Sequence, residues 1–94
     1  MPTYLMLSTL TPEGVNTIKH NAQRIKEVNE EVEALGARIE MQWALLGRYD
    51  FLTVVEAPDD ATMMRVSLEL GSRGSAHYET LPAIPIDELI DLVR

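Results

Sequence analysis

No cysteine occurs among the 94 residues, which excludes a disulfide framework, a thiolate nucleophile and thiolate metal ligands. That usage fits a cytoplasmic protein. Basic residues are also scarce: eight Lys and Arg stand against 15 Asp and Glu, for a net charge of −7. The eight (Lys19, Arg24, Lys26, Arg38, Arg48, Arg65, Arg73 and Arg94) form no run. An acidic chain without a basic patch repels polyanions, so no nucleic-acid partner is expected. No apolar run approaches the roughly 20 residues of a membrane-spanning helix. The start, Met1-Pro2-Thr3-Tyr4, has neither a charged leader region nor a cleavage pattern, so no secretion signal is expected.

What is present is 46% apolar residues in a chain long enough for one modest domain, taken as residues 1–94. At this size only about two thirds of the unfolded chain's surface becomes buried, so a partner subunit is a natural source of further burial. Thr3 to Leu10 reads as a strand, with Tyr4, Leu5, Met6 and Leu7 uninterrupted, as in a strand flanked on both sides. Thr11-Pro12 opens a helix with a capping hydroxyl and a first-turn proline. Val15, Ile18, Ala22, Ile25, Val28, Val32 and Leu35 then form one apolar stripe, predicting a single long helix that Gly36 closes. Glu27, Glu30, Glu31 and Glu33 make a solvated helix face and lack the pattern of a calcium loop.

From Arg38 to Leu46 the chain alternates, with Ile39, Met41, Trp43 and Leu45 on one face. Gly47-Arg48 suits a two-residue turn, and a four-residue turn through Asp50 is the alternative. Either even-length loop puts Met41 and Trp43 on the face of Leu52 and Val54, and Phe51, Thr53 and Val55 on the other. This strand is apolar on both sides, so both sides need cover. Pro58-Asp59-Asp60 caps a second helix, Ala61 to Leu70, whose Met63, Met64, Val66 and Leu70 face inward in part. Gly71-Ser72-Arg73-Gly74 ends it, being a helix stop more simply than an anion-binding nest. Ala76 to Leu81 is a fourth strand, and Pro85 to Val93 a short amphipathic helix. The order predicts an α+β, ferredoxin-like βαββαβ sandwich with an antiparallel sheet and a short C-terminal helix. Phe51, Thr53 and Val55 are expected on the open sheet face, as an apolar patch that calls for a partner or ligand.

Gly47-Arg48-Tyr49-Asp50, followed by Phe51 to Pro58 and Asp59, resembles the signature of the GYD domain family. The likeness extends to Tyr4, Thr11, Gly14, Gly36, Leu70-Gly71 and Glu79-Thr80-Leu81, and so covers nearly the whole chain. Arg48 between the glycine and the tyrosine is the one departure. The resemblance implies a small domain akin to the dimeric α/β-barrel superfamily, in which two sheets meet across their open faces. Small monooxygenases, isomerases and ligand-sensing domains share that wider group, so the fold alone specifies no reaction.

Tyr49 and Asp50 could bind or polarise a small substrate at a cleft mouth, although turn chemistry accounts for the aspartate more simply. His77 and Glu79 alternate on the fourth strand and so share a face, as an acid–base pair or as a solvated edge. His20 joins them in no metal-ligand spacing, and no metal or cofactor is expected. Trp43 with Tyr4, Met6 and Met41 could line a pocket or simply fill a core. These residues set the expectations: a homo-oligomer, at least a dimer, enclosing a small organic ligand near Tyr49, Asp50, His77, Glu79, Tyr4 and Trp43. If there is catalysis, Asp50 and His77 are its candidates. The alternatives are a cofactor-free enzyme of the monooxygenase or isomerase kind, and a purely structural assembly protein.

Overall fold

The computed structural model describes residues Met1–Arg94. Its elements are β1 (Thr3–Leu10), α1 (Pro12–His20), α2 (Arg24–Ala34), β2 (Arg38–Ala44), β3 (Phe51–Glu56), α3 (Asp60–Gly71), β4 (Ala76–Ala83) and α4 (Ile86–Leu92). The four strands form one antiparallel sheet in the order β2-β3-β1-β4. This is the ferredoxin-like sandwich with a C-terminal helix appended. Strand β1 lies between β3 and β4, as its unbroken apolar run predicts. Pro82 is tolerated in β4 because that strand is an edge and has one side free of ladder bonds.

The core lies between the sheet and the helices. Tyr4 and Met6 from β1, Val55 from β3, Val32 from α2 and Met63, Val66 and Leu70 from α3 pack together there, fully or nearly buried. The two main helix starts are capped as the sequence dictates. Gly14 N–H donates to Thr11 Oγ1 (3.1 Å), and Thr62 N–H donates to Asp59 Oδ1 (2.9 Å).

Three expectations need correction. The predicted long helix is two helices. It breaks at Asn21, which caps α1 with its N–H on Thr17 O and leaves the helical region at φ −150°, ψ 73°. Asn competes for backbone bonds and favours such ends, and the apolar stripe resumes on the far side, which hides the break from a periodicity argument. Next, the parity of the hairpin is as expected, with Trp43 opposite Leu52 and Met41 opposite Val54, but the faces are reversed. Phe51, Thr53 and Val55 lie under the helices, Val55 completely buried, while Leu52 and Val54 face the open side. Both alternating sets of β3 are apolar, so alternation sets the parity without saying which set the helices cover. Finally, Ile39 parts from Met41 and Trp43. A bulge between Ile39 and Met41 turns Ile39 to the helix side, opposite Val55.

Candidate functional site

The open face follows from that register. Strand β1 contributes Leu5 and Leu7, β3 contributes Leu52 and Val54, β2 contributes Met41 and Trp43, and β4 contributes Leu81. Trp43 is 48% exposed, Met41 51% and Leu81, on the opposite edge strand, 41%, high values for large apolar groups on one sheet face. The rim is polar and internally paired. At one end, Arg38 binds Glu40 (2.5 Å) and Glu56 (2.6 Å).

At the other end lies a polar corner built by the β2–β3 loop. Residues Leu45 to Asp50 form the connection, closed by Leu45 N–H donating to Asp50 O at 2.8 Å. Gly47 adopts φ 107°, a conformation that supports glycine at this tip. Tyr49 Oη donates to Glu79 Oε2 on β4 at 2.8 Å. Since β1 separates β3 from β4, the tyrosine side chain bridges across the end of β1. The Arg48 guanidinium lies 5.5 Å from the Tyr49 ring centroid. The hydrogen bond to the Glu79 carboxylate, with some desolvation, holds the Tyr49 phenol above its ordinary pKa. His77 projects from the same face two residues along β4, opposite Thr9, and is exposed. The structure thus brings Tyr49, Glu79 and His77 together at one edge of the apolar face that Trp43 flanks on the other side.

Asp50 and Tyr4 are placed elsewhere. The Asp50 carboxylate accepts the Leu10 N–H at 2.7 Å, and its own N–H donates to Ser8 O at 2.8 Å. It latches the loop to the end of β1, which is the turn role. Tyr4 is buried on the helix side, near the start of α3, where its hydroxyl donates to Asp60 Oδ1 at 2.5 Å. That bond, then burial, raises the Tyr4 phenol to about 12. The stabilisation is therefore complete below the ordinary tyrosine pKa and is lost as pH rises through about 12. His20 sits on exposed α1, its Nδ1 2.9 Å from Asn16 O, far in sequence and on a different element from His77. No three His, Asp or Glu side chains converge as a metal site would need. Arg73, in the segment that ends α3, binds Glu31 of α2 (2.9 Å) and Glu69 (3.3 Å). Its charge is thereby engaged by carboxylates, and the Glu31 carboxyl is held below its ordinary range chiefly by the Arg73 hydrogen bond.

Two groups escaped the sequence reading. One is a polar line under the helices, in which Asn29 Nδ2 donates to Gln42 Oε1 (2.7 Å) and Gln42 Nε2 donates to Thr53 Oγ1 (3.0 Å). The other is the pair Ser8 and Tyr78, opposite each other on β1 and β4. A signal existed for Ser8: it is a polar residue on the alternation that carries Tyr4 and Met6 into the core.

These features define a ferredoxin-like sandwich with an unpartnered apolar sheet face and one polar corner. The model of the GYD domain family matches residues 4–93, and the chain belongs to that family. It is also 54% identical, over 91 residues and 96% of each chain, to a Thermus thermophilus protein named glutamine synthetase and cystathionine beta-lyase binding protein.

Proposed function

We propose that this chain is an accessory subunit that self-associates through its open sheet face and, so assembled, binds enzymes. The observation that carries the first half is the apolar face itself, ringed by groups that already satisfy one another. Leu5, Leu7, Leu52 and Val54 lie at its centre, while the Arg38–Glu56 pair and the Tyr49–Glu79 hydrogen bond lie at its rim. That is the layout of a protein interface, with an apolar centre and a polar border. A second copy of the chain is the occupant this face fits. The net charge of −7 would oppose association elsewhere on the surface, but here the rim carboxylates are engaged, Glu79 by the Tyr49 hydroxyl and Glu40 and Glu56 by Arg38. Two copies meeting face to face place each patch on the other's patch, as a two-fold interface requires.

The second half rests on the Thermus relative, whose similarity runs over nearly the full length of both chains. Glutamine synthetase and cystathionine beta-lyase are the two enzymes its name supplies, and they are the partners to test. The polar corner supports a second reading of the same assembly, in which Tyr49, Glu79 and His77 orient a small organic ligand between the two faces.

Analytical ultracentrifugation and native mass spectrometry test the assembly together. A dimer or larger species at micromolar concentration, reduced to a monomer by Leu52→Asp, is expected. A monomeric unaltered chain would remove the basis of the proposal. Co-sedimentation with each of the two enzymes tests the second half, and an extra retained mass tests the ligand reading.

A further inference from the structure

A partly open cavity lies on the side of the sheet opposite the open face. It has a volume of about 230 Å³ and sits between the sheet and the α1–α2 pair. Ile18, Ile25, Val28 and Val32 roof it; Met6, Phe51, Leu70 and Ala76 supply much of its floor and end wall. Close packing normally fills the space between a sheet and its helices, so a partly open cleft of this size there is a candidate ligand site. It also explains the state of the helix stripe. Ile18, Ile25 and Val28 remain only half-buried because they hang over the cavity instead of filling it. The break at Asn21 sets α1 and α2 as separate parts of this roof.

Polar groups interrupt the apolar lining, among them Ser8, Asn29, Gln42, Thr53 and Tyr78. Ser8 is 5% exposed and Tyr78 half-buried; they are cross-strand neighbours, and neither hydroxyl has a side-chain hydrogen bond within the protein, whereas the Asn29–Gln42–Thr53 line is satisfied internally. Arg24 and Arg73 stand at the wall too, but Glu27, Glu31 and Glu69 pair with them, which leaves no free positive charge for an anion. Burial of Tyr78 pushes its phenol upward, so it is a neutral donor at physiological pH. Largely apolar walls, two neighbouring hydroxyls without a partner in the protein and neutralised arginines call for an uncharged, mainly apolar ligand with one hydrogen-bonding oxygen. Size narrows it further, since an apolar cavity of about 150 Å³ accepts benzene.

We infer that the space beneath α1 and α2 is a binding site for a small uncharged monocyclic compound, its polar atom held by Ser8 and Tyr78. This site is separate from the open face and holds whether or not the chain self-associates.

Phenol, toluene and benzoate titrated into the isotope-labelled full chain, followed by heteronuclear NMR, test it. Phenol is expected to shift the amide signals of Ser8, Ile25, Phe51 and Tyr78 saturably while leaving Leu5, Leu52 and Leu81 in place. Benzoate should bind at least about tenfold more weakly, because its charge would be buried without a partner. Tyr78→Phe or Ser8→Ala should weaken phenol by roughly three- to tenfold, the loss of one net hydrogen bond, and leave toluene within about twofold. Tyr78→Phe removes one atom and keeps the ring packing, and the unaltered chain's titration depends on no variant. The inference is overturned if phenol gives no saturable shift, if it moves the open-face signals instead, if benzoate equals phenol, or if neither variant weakens phenol.

Discussion

Asp50 shows how one side chain in a glycine-containing turn fixes a whole corner. Its carboxylate takes the Leu10 N–H at 2.7 Å, and its backbone bonds both Ser8 and Leu45. The loop that presents Tyr49 to Glu79 is therefore held at its base by β1 rather than by its own tip. Replacing Asp50 by Ala leaves the Leu10 N–H without its charged acceptor, a loss of about 2 kcal/mol. Asp50→Asn keeps an acceptor and should cost less than half of that. Urea denaturation of the two variants checks the order, and equal stability of Asp50→Ala and the unaltered chain would show that the latch is not structural. Tyr49→Phe, by contrast, removes only an exposed bond to Glu79, so its effect on folding should be small.

At the level of elements, α1 is seated by the absence of a side chain. A Cβ on Gly14 would stand 2.0 Å from Ser75 O, the same carbonyl that accepts Thr11 N–H at 3.0 Å. An alanine within a helix normally stabilises by about 1 kcal/mol relative to glycine. Here overpacking against backbone costs about 3 kcal/mol and wins. Gly14→Ala should lower stability by about 2 kcal/mol on these figures. Gly71→Ala, where nothing lies within 4 Å, should be neutral or slightly stabilising. Thermal denaturation of the pair separates the two effects. The strands, their order and the hairpin parity were legible because period-two alternation and turn residues are local signals. Three features were not. The helix break at Asn21 preserves the apolar stripe, so periodicity passes through it unchanged. The bulge after Ile39 is one inserted residue, and it reverses both Ile39 and Arg38 relative to the rest of the strand. The choice of face for Val55 depends on where two distant helices settle, and Leu52 with Val54 is as apolar as Val55 with Phe51. At the candidate site, Glu79 and His77 were legible as a pair on one strand face and Tyr49 as a turn residue. The Tyr49–Glu79 bond depends on the tyrosine reaching across β1, which no spacing along the chain expresses.

The whole molecule is longer than its size calls for. Its radius of gyration is 14.1 Å and its longest extent 50 Å, against about 12 Å for the radius of a compact chain of this length. Helix α4 has no buried residue and leaves Ile86 68%, Leu89 46% and Ile90 43% exposed. Area gives this helix a use. A four-strand face roughly 19 Å by 20 Å offers on the order of 400 Å² before side-chain relief. Stable interfaces take about 800 Å² from each partner. An α4 that packs on the second copy brings its apolar stripe into that shortfall. Removing Ile86–Arg94 should then change the dilute chain's stability by no more than about 0.5 kcal/mol, as for other unpacked surface. The same truncation should flatten the rise of the thermal midpoint with protein concentration, which the full chain shows if folding and association are linked. Loss of several kcal/mol in the dilute truncated chain would mean that α4 is held by its own sheet; an unchanged concentration dependence would mean that the open faces associate without it.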